Sequence, residues 1–201
     1  MIFDQQMAVG RVALGEQTRA RLLDAAIDRL AQGGPAVNFD LIGADVGVTK
    51  GALYHHFGSV DGLVEEVFKE AIRRHAAEVT DFSKTGTGRE RLLHLVTKSA
   101  ELYGSGTPFH GLLMRLHVEA GASRKHLAPI ARKVQQRQRE YMTDLVSAGQ
   151  KDGSIRSDID PAAVGQMVNA TLQGLLVQQL EPPSQQRAAA EDFGELLDQL
   201  L

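Results

Sequence analysis

The chain has no cysteine and no tryptophan among its 201 residues. The first absence removes disulfides, thiolate catalysis and cysteine-ligated zinc together. No apolar run approaches the ~20 residues of a membrane-spanning helix. The opening Met1-Ile2-Phe3-Asp4-Gln5-Gln6 lacks the basic start and apolar stretch of a signal peptide. A cytoplasmic protein with no membrane partner is therefore expected. An excess of positive charge is missing too: 22 Lys/Arg stand against 25 Asp/Glu, a net charge of −3. Over residues 1–60 the balance is five against six. The high-pI footprint of a nucleic-acid binder is absent, so any basic face must be local. Arg11, Arg19, Arg21 and Lys50 are the cations available to line one, with Asp24, Asp28 and Asp45 turned elsewhere. With so few cations, nonspecific affinity should be low and its salt dependence modest. Catalytic signatures are absent as well. There is no Gly-x-Ser-x-Gly elbow, no His-Glu-x-x-His and no phosphate-binding loop. An all-α enzyme is the weakest reading, and no cofactor is expected.

What is present is 43% apolar residues, enough for a substantial core, and one dense motif between Val37 and Phe57. Asn38 is suited to cap a helix, since its side-chain oxygen can accept a backbone N–H of the first turn. Val37 and Ile42 have the spacing of a hydrophobic staple around it. Phe39, Ile42 and Val46 recur at i, i+3 and i+7 and give that helix one buried face. Gly47 can enter the left-handed conformation that ends it. The pattern then repeats, with Thr49 as cap and Val48 and Leu53 as staple. Leu53 and Phe57, one turn apart, should bury together. Lys50, Gly51, Tyr54 and His55 are left on the outside of the second helix. Its first turn presents free N–H groups and a positive dipole end, and Gly51 places no side chain in the way of a phosphate. This is the layout of a helix-turn-helix whose second helix enters a DNA major groove.

The likeness extends beyond a generic motif. Thr18 to Gly34, with Arg21-Leu22-Leu23-Asp24-Ala25-Ala26-Ile27 inside it, supplies a preceding helix. Thr49-Lys50-Gly51-Ala52-Leu53-Tyr54-His55-His56-Phe57 follows, and Gly58-Ser59-Val60-Asp61-Gly62-Leu63 opens another helix. Over about residues 18–68 the chain resembles the N-terminal domain of the TetR family of transcriptional regulators. The resemblance implies an all-α homodimer: a three-helix N-terminal helix-turn-helix domain plus a larger helical bundle for ligand binding and dimerisation. By position, Asn38 and Thr49 match helix-capping sites near phosphate, and Lys50, Gly51, Ala52, Tyr54, His55 and His56 match the DNA-facing helix. The chain departs from the family pattern at Val60, where lysine is usual, and at Gly43 and Val46, where alanine is common. Leu30 replaces a frequent aromatic, a core swap of small consequence.

The expected division is a flexible arm over 1–17, the DNA-binding domain over 18–62 and the ligand-binding and dimerisation domain over 63–201. In the last of these, helical patterns cover about 59–80, 89–103, 108–120, 125–151, 161–180 and 185–201. Asp81 to Gly88, Gly104-Ser105-Gly106 and Glu181-Pro182-Pro183 punctuate them. Pro129 fits the first turn of its helix. Polar groups on mainly apolar helices are the candidate ligand contacts: His94, Tyr103, His110, Met114, His117, Asn169 and Gln173. His110 and His117 lack the i, i+4 pairing of a helical zinc site, and no metal is expected. The last two helices carry broad apolar faces that include Leu176. Val168, Leu172, Leu175, Phe193, Leu196 and Leu200 on those faces are the candidate dimer interface, as a two-fold four-helix contact.

These features point to a ligand-responsive DNA-binding regulator, with repression the expected sense. The partners would be a near-palindromic double-stranded operator, read by two recognition helices about 34 Å apart, and a small, mostly apolar effector. Filling a cavity among the middle helices would move the helix that starts near Ser59 and change the separation of the recognition helices. A DNA-binding or architectural protein without an effector is the alternative. A ligand-sized cavity would favour the first reading and a filled core the second.

Overall fold

The computed structural model describes residues 2–33, 37–80, 85–104, 107–177 and 183–201. Among them the fold is all-α: α1 Ile2–Ala31, α2 Phe39–Val46, α3 Lys50–Phe57, α4 Val60–Thr80, α5 Gly88–Gly104, α6 Pro108–Gly121, α7 Ala128–Asp152, α8 Pro161–Val177 and α9 Pro183–Leu200. A single 3-10 turn, Lys125–Leu127, leads into α7. Pro129 falls in the first turn of α7, where its missing N–H would have had no helical partner. The expected breaks at 81–84, 105–106 and 181–182, and the side chains of Arg11 and Leu176, lie outside the described residues.

Two differences from the sequence reading concern boundaries. Residues 2–17, expected as an arm apart from the first helix, are continuous with it in α1. The chain divides into two compact units, 1–71 and 72–201. The break therefore falls within α4 and not at 62/63.

The first unit is held by apolar side chains that the sequence spaces at helical intervals. Leu22, Leu23, Ala26 and Ile27 of α1 are buried, as are Phe39 and Ile42 of α2, Leu53 and Phe57 of α3, and Leu63, Val64, Val67 and Phe68 of α4. Each of the larger of these side chains contributes roughly 1.5–3 kcal/mol on leaving water. In the second unit α7 packs along α8, and α5 lies along α9 and α7. Leu92 and Val96 of α5, Leu145 and Val146 of α7, Val168 of α8 and Leu197 of α9 are central to its core. Arg89 ties α5 to α9 through Asp198 at 2.9 Å, and the Leu201 carbonyl accepts the Arg156 N–H at 3.0 Å.

Val168, Leu172 and Leu175 belong to this core. Leu172 is 4% exposed and Val168 fully covered, so their apolar face on α8 is spent inside the chain and is not a dimer surface. Phe193 also packs against the core. Of the residues expected at the interface, Leu196 and Leu200 are exposed, Leu196 at 65%. The sequence could not separate these two groups. An apolar stripe reads the same whether its partner is the same chain or another.

Candidate nucleic-acid interface and ligand cavity

The turn between α2 and α3 is built as its residues require. Asn38 is extended, and its side-chain oxygen accepts the N–H of Asp40 at 2.9 Å and of Leu41 at 3.4 Å. Gly47 ends α2 at φ 77°, in the left-handed region, and the Val48 N–H returns to the Gly43 carbonyl at 2.9 Å. Gly43 is buried at the crossing of the two helices. A Cβ there would stand 2.7 Å from the Val48 carbonyl oxygen. The alanine common at this position in the family would need the Val48 carbonyl to shift from where it stands here. Thr49 occupies the cap position of α3, but its hydroxyl makes no capping hydrogen bond. Only its backbone carbonyl does, accepting the Ala52 N–H at 2.9 Å. The expectation of a second side-chain cap is corrected accordingly.

Burial of Leu53 and Phe57 turns the rest of α3 outward. Lys50, Gly51, Tyr54 and His55 are exposed, and Ala52 and His56 are half-buried. The Tyr54 ring rests on Phe39, with centroids 4.8 Å apart, which leaves the side chain 47% exposed. A Cβ at Gly51 would meet the Thr49 hydroxyl at 3.7 Å, an ordinary contact. The His55 and His56 rings meet edge-on at 5.5 Å. Burial, with smaller contributions from His55 and Arg19, holds His56 below the usual histidine range.

The local basic face expected from Arg19, Arg21 and Lys50 is engaged within the unit. Arg19 pairs with Glu66 and lies over the Phe57 ring at 5.5 Å. Arg21 donates to the Val46 carbonyl at 3.2 Å. Asp45, expected to turn away from the basic face, accepts both arms of Arg29. Lys50 Nζ lies 2.9 Å from Asp40 Oδ2, and that hydrogen bond raises its pKa. The sequence showed the charges but not their partners, because these ion pairs join residues ten to forty-seven positions apart.

In the second unit a cavity of about 290 Å³ opens among α4, α5, α6, α7 and α8. Ile72, Val79, Leu95, Leu113, Met142 and Leu172 give it apolar walls, and Ser99, Arg137, Gln138 and Tyr141 add polar groups. Of the expected ligand contacts, Tyr103, His117, Asn169 and Gln173 line it. The other three do not. His94 is exposed, Met114 packs against the core, and His110 is buried beside the cavity with Nδ1 bonded to the Thr107 hydroxyl at 2.7 Å. Leu172, expected at a dimer interface, is instead cavity wall. His75 also lines the space, and the sequence reading missed it. A lone histidine four turns into a charged helix carries no signal of burial. Its Nε2 bonds the Tyr103 hydroxyl at 3.1 Å, and the two rings stack at 5.5 Å. Burial, then the neighbouring His110 and His117, push its pKa down to about 4. Burial lowers His117 too, against the bond of its Nδ1 to the Leu113 carbonyl at 3.0 Å. It raises the Tyr103 hydroxyl. His75, His117 and Tyr103 therefore present neutral hydrogen-bonding groups at neutral pH, in the same lining as the charged Arg137.

Known proteins share both units. Residues 22–67 match the family of bacterial regulatory proteins, tetR family. Residues 88–201 match the BetI-type transcriptional repressor, C-terminal. The HTH-type transcriptional repressor KstR2 of Rhodococcus jostii (strain RHA1) is 31% identical over 149 residues, 71% of this chain and 70% of that protein. A TetR transcriptional regulator from Chloroflexus aurantiacus J-10-FL shares the fold, with a TM-score of 0.80 at 21% identity over 93% of this chain and 97% of that one. The transcriptional regulator FadR from Bacillus subtilis in complex with stearoyl-CoA does so at 0.70 and 19% identity, over 90% and 98%. With a helix-turn-helix model matched over residues 22–67, and with more than half its length matched by one regulator model, this chain belongs to the TetR family of transcriptional regulators.

Proposed function

We propose that the protein is a ligand-responsive repressor that binds a near-palindromic duplex operator as a homodimer and leaves it when a small effector fills the cavity. The cavity carries this reading against that of an effector-independent DNA binder. An architectural protein has no need of an open space of about 290 Å³ beneath buried polar groups. That volume lies at the bottom of the range for small-molecule sites. It favours a compact, mostly apolar effector with a few polar atoms over a molecule as large as the stearoyl-CoA carried by the Bacillus subtilis regulator.

Operator contacts are assigned to Asn38, Thr49, Lys50, Gly51, Ala52, Tyr54, His55 and His56. The free N–H groups at the start of α3 and the Tyr54 hydroxyl would take phosphates, and His55 a base edge. Effector contacts are assigned to His75, Tyr103, His117, Asn169 and Gln173. The dimer face is assigned to the exposed sides of α8 and α9. Ala163, Met167, Ala170 and Gly174 form an exposed stripe at i, i+4, i+7 and i+11, and Leu196 and Leu200 are exposed on α9.

Release would act through α4. Ile72, His75, Ala76 and Val79 of that helix line the cavity, and its earlier turns bury Leu63, Val67 and Phe68 in the first unit. An effector that favours a shifted α4 by a few kcal/mol would move the population to a state in which both half-sites are no longer engaged together, and the avidity would be lost. The test uses a duplex enriched by in vitro selection against the protein, and a small-molecule panel screened by thermal shift. Val134→Phe, which fills the cavity from α7, should retain binding to the selected duplex and lose release by the hit compound. Release that persists in the filled variant would place the effector elsewhere.

A further inference from the structure

Beside the cavity, two buried histidines share an unusual state. His75 on α4 is 7% exposed and His110 on α6 is 3% exposed. Each has one ring nitrogen engaged by a hydroxyl: His75 Nε2 by Tyr103 at 3.1 Å and His110 Nδ1 by Thr107 at 2.7 Å. Each has its other nitrogen buried without a hydrogen-bond partner, Nδ1 of His75 and Nε2 of His110. The rings meet edge-on with centroids 5.7 Å apart. The carboxylate of Glu78, three residues after His75 on α4, lies 3.7 Å from His110 Nε2, beyond hydrogen-bonding distance. One ligand atom from each of the three side chains falls within 4.8 Å of the other two.

An orphaned nitrogen in a protein interior costs about 1–3 kcal/mol. Here both histidines also bring a ring nitrogen within 4.8 Å of the Glu78 carboxylate. We propose that His75, Glu78 and His110 form a binding site for a divalent transition-metal ion of the zinc class, with its fourth position open at the wall of the cavity. Two imidazoles and one carboxylate are a donor set that such ions take. Tetrahedral ligands at 2.0–2.1 Å from a metal stand about 3.4 Å apart. The 3.7 Å pair is near that already, the exposed Glu78 side chain can rotate closer, and the other separations lie within 4.8 Å. The hydroxyls of Tyr103 and Thr107 stand where outer partners stand at metal-bound histidines: by accepting the N–H of the bonded nitrogen they would leave the other nitrogen's lone pair for the ion and hold the ring in place. The ion would join the later turns of α4 to α6.

The experiment uses the full chain, stripped with a chelator and dialysed. Zn²⁺ is titrated by calorimetry, and Co²⁺ is added as a spectroscopic probe. The expected result is one Zn²⁺ per chain and the intense visible bands of tetrahedral Co²⁺. Both should weaken by tenfold or more in Glu78→Gln and His110→Ala, and by about tenfold in Thr107→Val, which removes only the outer partner. Glu78 is exposed, so Glu78→Gln leaves the fold in place, and circular dichroism of each variant checks this. The absence of stoichiometric Zn²⁺ binding at micromolar concentration would overturn the proposal. So would binding that these substitutions leave unchanged, which would put the ion on surface histidines such as His55 and His56.

Discussion

Lys50 is where the electrostatics of this small domain meet its function. In the free protein it is paired with Asp40, and both side chains are more than half exposed. An ion pair that open to water contributes little to stability, so a DNA phosphate can replace Asp40 at little cost. Two opposite outcomes follow for duplex binding measured by anisotropy across a salt series. Lys50→Ala should weaken binding and lower the log–log salt slope by about one. Asp40→Asn should strengthen binding at low salt, since it removes the competing carboxylate. Tyr54→Phe removes only a hydroxyl from a ring already braced by Phe39. It should weaken the complex without changing helix content. The resemblance to the family named these three positions in part. It named Lys50 and Tyr54, while the engagement of Lys50 by Asp40 depends on how α2 lies against α3 and is not legible in the order of residues.

At the scale of the element, the two caps of the helix-turn-helix look alike in sequence and differ in the fold. The Asn38 side chain satisfies two N–H groups of α2, whereas the Thr49 hydroxyl satisfies none in α3. Thermal or urea melts should therefore show Asn38→Ala costing about 1 kcal/mol and Thr49→Ala only a few tenths. The Thr49 variant is read separately for DNA affinity, where its hydroxyl is free to meet a phosphate. Equal losses of stability in the two variants would contradict the assigned geometry. Gly43 tests the crossing of α2 and α3. Gly43→Val sets a branched Cβ 2.7 Å from the Val48 carbonyl oxygen and should cost about 1–3 kcal/mol through the shift it forces. Binding should fall with it, because the turn orients α3. Staples, caps and the terminating Gly47 were readable because each is a local rule spanning four or five residues. The α1 start at Ile2 was not, since the segment before Thr18 carries no cap and little amphipathic pattern.

For the whole molecule, the apolar stripes of α8 and α9 have to be divided between core and partner. Leu196→Glu, on the exposed side of α9, should yield folded monomers by light scattering, with half-site affinity only. Leu172→Glu would bury a charge in the core and the cavity wall. It should unfold the second unit, because an unpaired buried charge is far costlier than the loss of an apolar contact. A folded monomer from Leu172→Glu, or a stable dimer from Leu196→Glu, would reverse that division. The cavity belongs to this scale as well. Its lining comes from five helices between Ile72 and Gln173, and no segment of sequence contains it. Tyr103, His117, Asn169 and Gln173 were found because polar residues on apolar helices stand out. His75 was missed because α4 is rich in charge, and only packing reveals which of its polar residues are inside.

By itself the sequence determined the helical class, the helix-turn-helix with its outward-facing Lys50, Gly51, Tyr54 and His55, and the family. All of these rest on short-range periodicity and on a motif contiguous in the chain. Tertiary structure alone decided which apolar faces are core, which charges are already paired, that a cavity remains among the later helices, and that His75, Glu78 and His110 converge beside it. Those outcomes depend on contacts between residues far apart in the chain. A one-dimensional pattern shows that a side chain must be buried or paired, but not against what.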